Sequence, residues 1–125
     1  MMKTDTAELN TAPADSAESN NATPCLQVAN LQVHFNTDLG EVYAVNDVGF
    51  QVNEGEAVAI VGESGCGKSV TAHLVLQLLP KNARIPRGRI ELKMPDNRVR
   101  NLLDFPRDGR EMRRIRGGQI GMIFQ

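Results

Sequence analysis

From Ile60 to Leu79 the chain reads IVGESGCGKSVTAHLVLQLL, which sets three glycines and one lysine between two apolar runs. Few folds accept that arrangement. Glycines let the backbone turn so that successive N–H groups point inward around an anion. A helix that begins there adds its own free N–H groups and the positive end of its dipole. Gly62-Glu63-Ser64-Gly65-Cys66-Gly67-Lys68-Ser69 satisfies G-x-x-x-x-G-K-[ST] without a mismatch. In that pattern the lysine, Lys68, reaches the β- and γ-phosphates of a nucleoside triphosphate, and the hydroxyl of Ser69 coordinates Mg²⁺. A random chain of this length shows the pattern on the order of once in several hundred. The rival reading is a glycine turn with no ligand. Cys66 also has two readings: a thiol made reactive by a helix N-terminus, or a small residue that fits the loop, which is the simpler one.

The flanking segments supply the context that the loop requires. AVAIVG, residues 57–62, is a short continuous apolar run, as expected of a strand buried on both faces of a parallel sheet. After Lys68 the period changes. Val70, Ala72, Leu74, Val75, Leu76, Leu78 and Leu79 surround most of a helix over 69–79, so that helix is expected to be largely buried. Pro80 lies just past its end. Upstream, LQVANLQVHF alternates partly and reads as a strand. NTDLGE is a turn by its Asn, Asp and Gly. VYAVNDVGFQV is a second strand, in which Gly49 is a weak point or a bulge, and NEGE breaks it. Downstream, GRIELKM is a strand with PDN as its turn. DGREMRRIRG is a short basic helix ending at Gly117, and QIGMIF is a final buried strand candidate.

Composition divides the chain. Residues 1–24 contain no aromatic residue and one leucine. Such a stretch cannot bury enough apolar surface to offset chain entropy, so it is expected to be a disordered leader, with residues 25–125 as the folded unit. The whole is 41% hydrophobic and 23% charged, with a formal net charge of −1, an ordinary globular balance. Twelve of the 14 Lys and Arg fall between Lys81 and Arg116, with five acidic residues among them. A basic segment suggests nucleic acid, but no series of aromatic residues interleaves with it as stacking platforms require. A solvated face is the better reading, and no nucleic-acid partner is expected. No apolar window approaches the ~20 residues of a membrane span, and no signal peptide follows Met1. Cys25 and Cys66 make no disulfide framework, which fits a reducing cytoplasm. His34 and His73 have no second ligand at metal-binding spacing.

Three further segments point to a family. Tyr43 lies 25 residues before Lys68. VNDVGFQVNEGEAVAIVGESGCGKS runs from a strand through a GE turn to the loop. RRIRGGQIGMIFQ closes the sequence. Together, from about Leu26 to Gln125, they resemble the N-terminal part of an ABC-transporter ATPase, most nearly the subfamily that powers importers of peptides, glutathione and nickel. The resemblance implies an α/β fold of the P-loop NTPase type: an antiparallel β subdomain plus the start of the parallel-sheet core, here incomplete. It identifies Gly62 to Ser69 with the Walker A loop for ATP. It matches Tyr43 to the aromatic residue that stacks on adenine, the alternative being a strand tyrosine packed in a core. It matches Gln125 to the glutamine that helps coordinate Mg²⁺ and the attacking water. It further implies membrane permease subunits and a second ATPase subunit as partners, at the cytoplasmic face of the inner or plasma membrane. Gly49 stands where a serine is usual, and IELKMPDNRVRNLLDF is longer and more polar than the usual hairpin.

The same resemblance requires elements that the 125 residues do not contain. Asp104 in NLLDF follows only two leucines and precedes no Glu, so it is not the Walker B carboxylate. IRGGQ has Arg116 in place of the signature serine and lies before the glutamine loop instead of after it. The expectation is therefore the first part of a longer ATPase, inactive by itself. Its rivals are another P-loop class, a small-molecule kinase or a GTPase, which gives no reason for Tyr43 or the MIFQ ending, and a non-catalytic stub that binds nucleotide weakly or not at all.

Overall fold

The computed structural model describes residues 22–124. Four strands, β1 (Leu26–Thr37), β2 (Gly40–Val52), β3 (Ala83–Lys93) and β4 (Val99–Asn101), form an antiparallel sheet in the order β2-β1-β3-β4. Helix α1 (Lys68–Val75), a 3₁₀ turn (Leu102–Asp104) and helix α2 (Arg110–Gly118) complete the regular elements. The leader expected over 1–24 falls outside the described residues, apart from Ala22 to Pro24, which carry no regular structure.

The first hairpin turns at Asp38–Leu39, where the Thr37 hydroxyl donates to the Gly40 carbonyl at 2.7 Å. Its pairing passes from Val28↔Phe50 to Leu31↔Val48, so Ala29 and Asn30 share the space opposite Gly49. This is a bulge, with Asn30 at φ 49 and its side-chain amide donating to Asp47 at 3.1 Å. A bulge shifts the side-chain register, which is why Val28, Leu31 and Val33 are all buried although they do not alternate strictly. Gly49 therefore marks the bulge: a Cβ there would meet the Val28 carbonyl oxygen at 3.3 Å.

The inward residues of β1, β2 and β3 join α1, the 3₁₀ turn and α2 in one apolar cluster. Leu31, Leu74, Ile90, Leu102, Met112 and Ile115 are fully buried in it. Beyond β3, the expected PDN turn forms, with Asn97 at φ 62 donating its N–H to the Met94 carbonyl.

Helix α1 stops at Val75, four residues short of the expected Leu79. Gln77 adopts a left-handed conformation at φ 52. The Gln77 N–H donates to the Leu74 carbonyl at 2.7 Å and the Leu78 N–H to the His73 carbonyl at 2.8 Å, the paired bonds of a Schellman end. A glutamine holds this place because its side-chain amide donates to the carbonyls of Leu102 and Phe105. Arginines meet carbonyls at and beyond that end. Arg116 Nε donates to the Leu76 carbonyl at 2.8 Å, Arg116 Nη2 to the Arg107 carbonyl at 2.9 Å, and Arg107 Nη1 to the Leu79 carbonyl at 2.7 Å. Arg116 thus caps the negative end of α1, and Arg107 secures the segment that follows it.

Two expected strands are absent from the sheet. Residues 57–62 and 120–124 pair with no strand among the described residues. A parallel strand forms only with neighbours on its ladder, and the sheet here is antiparallel throughout. Val58 and Val61 are consequently exposed, as are Ile123 at 98% and Phe124 at 64%, while Ile120 still packs against the cluster. The antiparallel part of the expected fold is formed, and the parallel core is incomplete.

Arg116→Ala should leave the carbonyls at the end of α1 without their donor and lower unfolding free energy by about 1–3 kcal/mol. Arg113→Ala, on the exposed side of α2, should change it by no more than about 0.5 kcal/mol. Urea denaturation of both variants tests this; equal effects would contradict the capping role.

Candidate functional site

The glycine loop is built against β2. Gly67 caps α1 at φ 94, and a Cβ at that position would lie 2.6 Å from the Ala44 carbonyl oxygen and 3.3 Å from Val45 Cγ2. Glycine thus serves twice there, supplying a left-handed conformation and allowing the loop to close on the strand. Gly65 provides a second left-handed residue at φ 81, and the Cys66 N–H donates to the Glu63 carbonyl at 3.3 Å. Cys66 Sγ fills the space beside Gly62, where a Cβ would come within 2.6 Å of it. That is the place of a small residue fitting the loop.

Lys68 turns back over this loop. Its ammonium donates to the carbonyls of Gly62 at 2.5 Å and Glu63 at 2.6 Å, and lies 3.4 Å from Cys66 Sγ. The cation is therefore held among the loop's own dipoles. The first intrahelical bond runs from the Thr71 N–H to the Gly67 carbonyl at 2.9 Å. The N–H groups of Lys68, Ser69 and Val70 precede it and have no helical acceptor. Buried Thr71, which sequence reasoning passed over, adds a hydroxyl bond to the same Gly67 carbonyl at 2.9 Å. Ser69 is exposed at the start of α1, and its carbonyl accepts from His73 Nδ1 at 2.6 Å. Glu63 and Ser64 are exposed on the loop. One cation, glycine-bent backbone and free helical N–H groups form a donor set suited to an anion of phosphate type.

Tyr43 directly precedes Ala44, which supplies the carbonyl against which Gly67 closes. It is 52% exposed and so is not a core tyrosine. Tyr43 pairs across the hairpin with His34, ring centroids 4.2 Å apart and planes at 68°. Glu41 joins both, accepting from His34 Nδ1 at 3.1 Å and from the Tyr43 hydroxyl at 3.4 Å. The sequence reading missed His34 and Glu41, although a two-residue turn at Asp38–Leu39 fixes the register that brings His34 opposite Tyr43. Gln125 lies outside the described residues.

Other candidates separate from the loop. Asp104 sits in the 3₁₀ turn, accepting from the Asn101 side-chain amide at 3.1 Å. A cavity of about 370 Å³ lined by Arg98, Val99, Arg100, Asn101, Asp104 and Phe105 involves no loop residue. Among the described residues no group of three or more His, Cys, Asp or Glu is placed to hold a metal ion.

Residues 45–125 match the family described as ABC transporter. The chain is 47% identical over 100 residues to the dipeptide transport ATP-binding protein DppD of Lactococcus lactis subsp. cremoris, covering 80% of this chain and 27% of that protein. It is 50% identical over 101 residues to DppD of Bacillus subtilis, covering 80% and 28%. A probable D,D-dipeptide transport ATP-binding protein, DdpD of Escherichia coli, is 42% identical over 103 residues, covering 82% and 29%. The chain belongs to the ABC transporter family and carries part of its nucleotide-binding ATPase domain. It spans less than a third of the length of these curated relatives.

Gly67→Ala must hold a left-handed alanine, at a cost of about 1–2 kcal/mol, and must also push Ala44 away. Gly65→Ala bears only the first cost, since a Cβ there meets nothing within 4 Å. Gly67→Ala should therefore be the more destabilising of the two in urea denaturation, and equal losses would show that the loop does not depend on closing against β2.

Proposed function

We propose that this chain is the ATP-binding segment of an ABC importer ATPase that energises uptake of peptides or a related small solute. The observation that carries the reading is the loop itself: Lys68 folded over Gly62 and Glu63, with α1 opening behind it. The relatives whose names specify dipeptide or peptide transport support the substrate class.

Triphosphate oxygens are stronger acceptors for an ammonium than neutral carbonyls are. On binding, Lys68 exchanges the Gly62 and Glu63 carbonyls for the β- and γ-phosphates. The free N–H groups at the start of α1, those of Lys68, Ser69 and Val70, face the same anion, and Tyr43 offers its ring to adenine. Ser69, through its hydroxyl, and Gln125 are the residues that would hold Mg²⁺, which would supply neutralisation of the phosphate charge. In the intact protein a second ATPase subunit faces this one, and membrane permease subunits dock on it at the cytoplasmic face of the membrane. No helix among the described residues is long and apolar enough to cross a membrane itself.

Lys68→Ala should weaken triphosphate binding, because it removes the cation that the loop holds. Tyr43→Ala should weaken ATP binding by about 1–3 kcal/mol, the range for base–aromatic stacking, and Tyr43→Phe should be mild. Equilibrium titration of the three variants checks both roles; a Phe variant as weak as Ala would assign the contact to the hydroxyl. The 125-residue chain should release no phosphate from ATP above the Lys68→Ala background, since its sequence offers no Walker B carboxylate and no signature.

A further inference from the structure

Tyr43, His34 and Glu41 form a closed triangle on the hairpin. His34 and Tyr43 are direct cross-strand partners, and Glu41, two residues before Tyr43 on β2, shares its side of the strand. One carboxylate oxygen of Glu41 accepts from His34 Nδ1 at 3.1 Å and the other from the tyrosine hydroxyl at 3.4 Å. The third side is the tilted ring contact, 4.2 Å between centroids at 68°. A T-shaped contact occupies at most one face of the tyrosine ring, and half of the residue remains open to solvent. A tyrosine on an exposed strand normally samples several rotamers. This one is tied at its ring and at its hydroxyl.

We propose that His34 and Glu41 are positioning residues that hold the Tyr43 ring in one orientation on the strand against which the glycine loop closes, so that adenine meets a preorganised platform. The proposal rests on the reading that Tyr43 stacks on the base. Its physical content is entropic: a ring already fixed loses little rotamer freedom when the nucleotide arrives. Either truncation should thus weaken ATP binding through Tyr43 and not through the phosphates.

The chain contains one tyrosine and no tryptophan, so its near-ultraviolet tyrosine circular dichroism and its tyrosine fluorescence anisotropy report the Tyr43 ring alone. Both are measured on the 125-residue chain without nucleotide, for the natural sequence, His34→Ala, Glu41→Ala and Glu41→Gln. Backbone circular dichroism confirms the fold in each. The exposed Glu41 site makes its variants tolerant even where His34→Ala fails to fold. Tyrosine ellipticity and anisotropy should fall in both Ala variants and be retained in Glu41→Gln, which keeps a hydrogen-bonding group at the same reach. ATP affinity should fall roughly two- to tenfold in the Ala variants, the span for one aromatic contact, with no further loss when either is combined with Tyr43→Ala. Unchanged tyrosine signals, or the same loss of affinity in the Tyr43→Ala background, would overturn the positioning role. If Tyr43→Ala alone leaves ATP affinity unchanged while the tyrosine signals still respond to Glu41, it is the stacking reading that fails, and the proposal's purpose fails with it.

Discussion

The approach of Gly67 to the Ala44 carbonyl is the contact on which the site depends. A Cβ at Gly67 would stand 2.6 Å from that oxygen, so only glycine lets the start of α1 reach β2. The contact joins two parts of the chain that do different work. On one side is the glycine loop, with Lys68 folded over the Gly62 and Glu63 carbonyls; on the other is a hairpin that carries Tyr43. The residue that touches the loop, Ala44, is the neighbour of Tyr43, the residue proposed to meet the base. The glycine loop and the hairpin that carries Tyr43 thereby meet through backbone and not through flexible side chains.

Helix α1 is then held at its other end by different chemistry. The Schellman turn at Gln77, with Arg116 and Arg107 on the adjacent carbonyls, leaves the C-terminal dipoles of α1 paired and ties them to the 3₁₀ turn and α2. Hydrogen bonds to charged donors are the stronger kind. They fix a helix of only 8 residues that would be marginal by itself. The chain gains a rigid support for the loop from residues that composition alone presents as a solvated basic face. The unpaired apolar stretches at 57–62 and 120–124 show the converse. The loop's own strand segment is not part of the sheet, so the loop's contacts are with α1 and β2 instead.

Much of this was legible in the sequence. G-x-x-x-x-G-K-[ST] after an apolar run located the loop, alternation located β1 and β2, and PDN located the turn after β3. The family resemblance carried by Tyr43, the loop and MIFQ agrees with the ABC transporter match over residues 45–125. Local signals failed where long-range partners decide. AVAIVG and QIGMIF have the composition of buried strands, but a ladder needs neighbours that composition does not supply. Helix α1 carries apolar residues to Leu79, yet it ends at Val75 because Gln77 finds acceptors at Leu102 and Phe105, 25 and 28 residues away. The triangle of His34, Glu41 and Tyr43 was readable only through register, which depends on placing the turn at Asp38–Leu39 and not across the whole of NTDLGE.

The central claim is that the loop from Gly62 to Ser69 recognises the terminal phosphates of a nucleotide and the hairpin its base. Isothermal titration of the 125-residue chain with ATP, ADP and AMP tests this directly, because the three ligands share the base and differ only in phosphate. Binding that is measurable for ATP and ADP and lost for AMP is the predicted result, since AMP has no β-phosphate for Lys68 to reach. AMP binding as tightly as ATP would contradict the account, for it would place recognition in the base alone and leave the glycine loop without a ligand.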